Sequence, residues 1–307
     1  MISVKESEKI WQELLTSEKK SRSGKLTRFL NAPLLYPSLM VFNYLLYPLL
    51  KKGIYLKANT FFSTPIRILL PSGTDLLLNG IKSHDSEIRL TKYLTLALKE
   101  GDTFIDVGAH HGYYSLLASV IVGDKGKIYS IEASVASFNI LKENVEAYNN
   151  IETFQVAAGD KPGNITFYEY PGPYAEYNTT IQGAYTNQKW HDKVIERVNV
   201  VPILVLDDLI QSKGIEKAYI KIDVEGGETA VLRGLQIALK EKQLIIAMEY
   251  IFKSEGGTHH EAAALLYNNN YKSYAITRNG ELKIVPEIDT YLVEEKINSD
   301  NIVFLKS

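Results

Sequence analysis

Asp106-Val107-Gly108-Ala109-His110-His111-Gly112-Tyr113-Tyr114-Ser115 and Lys221-Ile222-Asp223-Val224-Glu225-Gly226-Gly227-Glu228 each run from a buried-strand pattern through an acid and glycines into a helical pattern. Phe104-Ile105-Asp106-Val107 reads as the first strand, and residues 114–122 as the helix after it. Ligands of open α/β sheets bind in the crevice beyond the carboxyl ends of the strands. Both motifs therefore point at one crevice, the expectation for an enzyme.

Working outward, strand and helix patterns alternate. Strand 103–108 precedes helix 113–122, strand 127–132 precedes helix 135–148, and strand 152–157 follows. A polar insertion at 170–197 leads to strands 198–205 and 218–223, helix 228–241, strand 243–250, helix 259–268 and strand 272–276. After Asn279-Gly280, paired strands end in Asn301-Ile302-Val303-Phe304-Leu305. The pattern predicts an α/β fold: a mostly parallel sheet with helices on both faces and an antiparallel C-terminal edge. Upstream, residues 3–22 are polar and helix-prone, expected to fray or to pack on a partner. Residues 67–78 read as a hairpin turning at Pro71-Ser72-Gly73, and 87–98 have helical spacing. The expected division is an N-terminal helical and hairpin extension, 1–83, and a main domain, 84–307.

Net charge is −2 and the isoelectric point about 6.3, so no overall positive field draws nucleic acid, and none is expected as a partner. With no Cys, disulfides, thiolate metal sites and cysteine nucleophiles are excluded. The opening residues lack the basic-then-apolar order of a signal peptide, and the expected location is the cytoplasm.

The glycines are spaced Gly108-x-x-x-Gly112, unlike the G-x-G-x-x-G of a dinucleotide loop, and His110 stands at the second position. A pyrophosphate fits badly there and a smaller nucleoside better. Glu132, ending the second strand, can accept hydrogen bonds from both hydroxyls of a ribose. Asp106 can hold an ammonium group, and the helix start at 112–115 can receive a carboxylate. Ribose, ammonium and carboxylate are the polar handles of S-adenosylmethionine. The structural alternative is that Asp106 and Glu132 merely cap their elements.

The first motif, with Ile131-Glu132-Ala133, Leu206-Asp207-Asp208-Leu209 and the second motif, resembles the FkbM-family methyltransferases over about residues 84–250. The resemblance implies the Rossmann-like class I methyltransferase fold, S-adenosylmethionine as donor, and O-methylation of a sugar or secondary-metabolite hydroxyl. The matching motif residues give the expected donor site: Asp106, Gly108, Ala109, His110, Gly112, Tyr114, Ser115, Glu132, Ala133 and Asp223. Two departures stand out: His110 where the family usually has Asn, and Ala133-Ser134 in place of the usual Pro.

Methyl transfer from a sulfonium needs alignment in a dry pocket, and an aliphatic hydroxyl also needs a base or a metal. Asp223 and Glu225, two apart at a strand end, are the expected catalytic acids. With Glu228 they make an oxygen-rich set for a divalent cation such as magnesium or manganese, or a pair in which one raised pKa supplies a base. Glu228 has an equally good structural role at the helix start. His259, opening the helix after the next strand, is a further candidate base beside His260. The aromatic, amide-rich insertion 170–197 suits a lid or a sugar-binding surface as well as an ordinary loop.

From Ala32 to Leu50 only Ser38 and Asn43 are clearly polar, and Lys25, Arg28, Lys51 and Lys52 flank the run. Pro33, Pro37 and Pro48 argue against one spanning helix. Residues 26–50 are expected either to pack on their own domain or in a homodimer interface, or to lie on the cytoplasmic membrane surface near a lipid-linked, hydroxyl-bearing acceptor.

Overall fold

The computed structural model describes residues 4–50, 52–188, 190–191, 194, 196–252 and 258–307. Lys51, one of the basic flanks, residues 189, 192, 193 and 195 at the end of the 170–197 insertion, and residues 253–257 lie outside them.

The chain opens with helices α1 (Val4–Ser21), α2 (Lys25–Asn31) and α3 (Leu35–Val41), the last running through a π turn at Phe42–Leu46 into α4 (Tyr47–Leu50). α2 stops two residues before Pro33, as a residue that disfavours helix in its predecessor dictates. Pro48 has no N–H to donate one turn back, and the widened π turn lies just before it, with the Tyr47 N–H bonded to Phe42 O. α1 packs on its own chain along one side, where Leu14, Ser17 and Ser21 are buried. Among the described residues no helix is long and apolar enough to cross a membrane.

Strands β1 (Ile54–Asn59) and β2 (Pro65–Leu70) form an antiparallel pair, followed by α5 (Thr74–Asn79) and α6 (Asp85–Ala97). This corrects the hairpin expected at 67–78: the partner of β2 lies upstream, and the chain after Pro71 turns helical. Asp75-Leu76-Leu77-Leu78 lacks the period-2 alternation of a half-buried strand. Thr74 Oγ1 donates to Pro71 O (2.6 Å), and Asp75 falls in the first helical turn, where a carboxylate is favourable.

The main domain continues β3 (Thr103–Val107), α7 (Tyr113–Val122), β4 (Lys127–Ile131), α8 (Val135–Val145), β5 (Ile151–Phe154), β6 (Ala157–Ala158), β7 (Gly163–Glu169), β8 (Arg197–Leu204), α9 (Leu206–Ser212) and β9 (Lys217–Ile222). It ends α10 (Glu228–Arg233), α11 (Gln236–Glu241), β10 (Gln243–Ile251), α12 (Thr258–Asn268), β11 (Tyr271–Ile276), β12 (Leu282–Ile284), α13 (Ile288–Glu295) and β13 (Ser299–Lys306). Eight strands form one sheet in the order β12-β11-β13-β10-β9-β3-β4-β5, parallel from β10 to β5, with β13 antiparallel to both its neighbours. Buried side chains fill both faces: Leu14, Leu90, Leu117 and Leu141 on one, Leu206, Val231, Leu239 and Leu292 on the other.

Three expectations need correction. Strand 198–205 does not join the main sheet; β8 forms a small separate sheet with β6 and with β7, a strand that the sequence reading lacked. Helix 228–241 is two helices, since Gly234 lies against the carbonyl of Gly159 with no room for a Cβ, and Asp207 accepts from Ile237 N and Ala238 N to start α11. α13 interrupts what read as paired C-terminal strands.

Candidate functional site

Strand order reverses between β3 and β9, which puts a crevice at their carboxyl ends. There the two motifs touch. Asp106 lies opposite Lys221 and Val107 opposite Ile222, and the Asp223 N–H donates to Val107 O (3.1 Å). Gly108, at φ 80°, sits so close to the Asp223 carbonyl that a Cβ there would overlap it. Gly108 N and Ala109 N both donate to Ile131 O (3.0 Å each), which locks the loop to the neighbouring strand β4. Above these strand ends is a cavity of about 690 Å³. Ile66, Ile68, Asp75 and Lys82, from the part of the chain before residue 84, line it as well.

Of the expected donor residues, Gly108, Ala109, His110, Tyr114, Glu132, Ala133 and Asp223 line this cavity; Asp106, Gly112 and Ser115 do not. Asp106 is 1% exposed and lies beneath the floor, where Oδ2 accepts from Ser115 Oγ (2.6 Å) and Oδ1 is 3.9 Å from Lys221 Nζ. A side chain so placed positions its neighbours instead of meeting an ammonium group. Burial raises its pKa against the pull of Lys221. Glu132 does face the cavity. Its Oε2 accepts from His110 N (2.7 Å) and its Oε1 from Ser134 N (2.8 Å), and burial pushes its carboxyl from 4.5 up to about 7 despite those bonds. His110 has φ 51°, a left-handed backbone that Asn adopts readily, which accounts for the Asn usual at this position. Its ring stacks on that of His111 (3.8 Å), and burial, then His111, holds it well below its usual pKa and neutral.

The second motif assembles differently from its sequence reading. The carboxylates of Asp223, Glu225 and Glu249 come within 4.8 Å of one another. Glu228 is the correction: it is 1% exposed, and its Oε1 faces the N–H groups of Val224 and Gly226 (3.3 Å each), folding the glycine loop. His259 also lies away from the cavity, with Nδ1 3.1 Å from Glu249 O and Nε2 3.9 Å from Glu228 Oε2; His260 pairs with Asp289. Burial opposes ionisation of Asp223, yet Lys221 (2.9 Å) and Lys82 outweigh it and hold the carboxyl below its usual range. Glu249 goes the other way, pushed well up by burial and then by Asp223 and Glu225.

The insertion reaches over this cluster. Thr179 pairs with Tyr168 of β7, and its Oγ1 donates to Glu225 O (2.7 Å). Tyr185 OH donates to Glu225 Oε2 (2.7 Å), and Ile181 covers Gly226, where a Cβ would come within 2.6 Å of it. Glu225 itself has φ 51°, a conformation costing a non-glycine residue roughly 1–2 kcal/mol. Those two bonds hold it there. Tyr174, stacked on Trp190 (4.6 Å), and Tyr170, Tyr177 and Tyr185 make one aromatic group beside it.

Sequence reasoning missed Lys82, Glu87 and Glu249, which line the cavity, and Tyr185. Lys82 Nζ lies 2.9 Å from Glu87 Oε2, and Tyr114 OH donates to the same oxygen (3.0 Å). Glu249 carried a usable signal. Like Asp106 and Glu132, it is an acid near the end of a strand that is otherwise apolar.

Comparison with known proteins identifies the family of the domain that holds this cavity. The methyltransferase FkbM domain matches residues 106–273. Among curated relatives, a probable cobalt-precorrin-6B C(15)-methyltransferase of Saccharolobus solfataricus is 29% identical over 80 residues, 26% of this chain and 40% of that protein. The hexuronic acid methyltransferase AglP of Haloferax volcanii is 26% identical over 150 residues, 48% of this chain and 56% of that one. The chain spans less than half the length of the first curated relatives it matches. A crystal structure of precorrin-6y C5,15-methyltransferase from Geobacter metallireducens aligns at TM-score 0.38 and 14% identity, over 72% of this chain and 88% of that one.

Proposed function

Since the chain belongs to the FkbM methyltransferase family, we propose that it transfers the methyl group of S-adenosylmethionine to a hydroxyl of a glycan, glycolipid or small polar metabolite. The observation that carries this reading is the opening of Glu132 and the Asp223 cluster into one cavity. The residues present suit the donor. Glu132 spends one lone pair of each oxygen on backbone N–H groups and keeps the others for a ribose diol. Val156, Ala157 and Ala158 offer a flat apolar wall for the base, and Glu87 offers a carboxylate for the ammonium end. The bound donor supplies an activated methyl group on a sulfonium.

The chain's own part is alignment and proton handling. Asp223, held ionised by Lys221, accepts a hydrogen bond from the acceptor hydroxyl and orients its oxygen. The hydroxyl proton leaves along that hydrogen bond to Asp223 as the methyl group is transferred, and Glu249, whose carboxyl is pushed well up by burial and then by Asp223 and Glu225, lies within 4.8 Å of the Asp223 carboxylate. The insertion covers the cluster and excludes water. A sugar acceptor is favoured by Asn178 and Thr180 of the insertion, which line the cavity, and by the relative named for a hexuronic acid.

A second reading places a magnesium or manganese ion among Asp223, Glu225 and Glu249, whose spacing suits a hard cation. One experiment addresses both. The protein is incubated with methyl-labelled S-adenosylmethionine and saccharide-containing extract, with and without a chelator. Label in an alkali-stable methyl ether supports hydroxyl transfer, and label on an amine overturns it. Full transfer in excess chelator removes the cation.

A further inference from the structure

We propose that the face built by α2, α3, α4 and β1 is a docking surface for an anionic lipid bilayer. From Lys19 to Thr74 the chain has no Asp or Glu at all but nine Lys and Arg, although its net charge is −2. Lys19, Lys20, Lys25, Lys52 and Lys57 are exposed. Between these cations stands a contiguous run of uncovered apolar side chains. The helices bury only Leu39 and Phe42, and leave Leu26 (72%), Leu34 (85%), Tyr44 (78%) and Leu49 (73%) in solvent.

A surface both strongly basic and strongly apolar fits one kind of occupant. An isologous dimer through this face would set the exposed lysines of one copy against those of the other, while Arg22 and Arg67 are already paired with Glu18, Asp85 and Glu143. Nucleic acid would satisfy the charge and leave the leucines in water. An anionic bilayer satisfies both, taking leucines and tyrosines below the headgroups and lysines at the phosphate level. The broken helices suit a segment that lies along a membrane instead of crossing it.

The face also adjoins the cavity. Tyr47 reaches Gly172 at the start of the insertion, where a Cβ would come within 2.8 Å of its hydroxyl, and Ile66 and Ile68 of β2 line the cavity wall. Resting on the function proposed above, docking sets the acceptor site at the bilayer surface and makes a membrane-borne saccharide its acceptor.

The test is co-sedimentation of the full chain with phosphatidylglycerol–phosphatidylcholine vesicles, which reads docking without any methyl transfer. A triple variant, Leu26→Glu with Leu34→Glu and Leu49→Glu, is compared, and melting temperature and donor affinity check that its fold is kept. The expected result is binding to anionic vesicles that falls about tenfold or more in high salt and in the variant. Wild-type protein left in the supernatant at low salt would overturn the proposal, as would equal binding to pure phosphatidylcholine. A wild-type dimer that the triple variant dissolves, with no vesicle binding, would assign the face to a second copy.

Discussion

Gly108 and Asp223 meet backbone to backbone. The carbonyl of Asp223 occupies the space that a side chain on Gly108 would need, and the Asp223 N–H bonds to the residue before Gly108. The donor loop and the acidic loop, more than a hundred residues apart in sequence, are therefore fixed relative to each other. Gly108→Ala combines that overlap with a φ of 80° and should cost about 3 kcal/mol or more of stability. Urea denaturation measures it; a loss below about 1 kcal/mol would mean that the loops separate easily.

With the donor's ribose on Glu132, as proposed, donor binding should depend on pH. Its carboxyl titrates at about 7 in the free protein, and ribose hydroxyls donate best to the ionised form. Affinity for S-adenosylmethionine should rise from pH 6 to pH 8, with proton release on binding at the lower end. Glu132→Ala should lose about 1.5–3 kcal/mol of affinity and the pH dependence with it. The stability effect has the opposite sense. The unfolded carboxyl ionises near 4.5, so the folded state holds the extra proton between 4.5 and 7, and this group's contribution falls as pH rises through that window. Calorimetric titration in buffers of different ionisation enthalpy follows the released proton.

Tyr185 and His259 should separate cleanly. Tyr185→Phe removes the bond that holds the Glu225 carboxylate, and is expected to lower turnover about tenfold while leaving donor affinity within about twofold. His259→Gln alters a side chain buried beside Glu228, and should lower the melting temperature more than turnover. A turnover collapse in a stable His259→Gln protein would return His259 to the chemistry.

The parallel sheet was legible because each strand is a short apolar run and the helices between them keep their spacing. That the glycine loop and Glu132 stand at neighbouring strand ends was legible because acid and glycine punctuate those ends. Long-range partners were not. Asp106 reads like a ligand-holding acid, and only the packing of Ser115 and Lys221 around it shows that its carboxylate lies below the floor. Glu228 reads equally as a cation ligand and as a helix-start carboxylate, and its bonds from Val224 N and Gly226 N give it the structural part. Tyr185 lies in an insertion without periodicity, so nothing in its spacing ties it to Glu225. The turn after β2 misled because Pro-Ser-Gly suits both a hairpin and a helix start, and the choice rests on β1, which precedes it.

The central claim is that Asp223 serves the acceptor step in a site whose donor is held mainly elsewhere. The most direct measurement pairs donor titration with single-turnover transfer in Asp223→Asn. The expected result is S-adenosylmethionine affinity within about tenfold of wild type and transfer reduced about a hundredfold or more. Transfer at the wild-type rate in the Asn protein would contradict it.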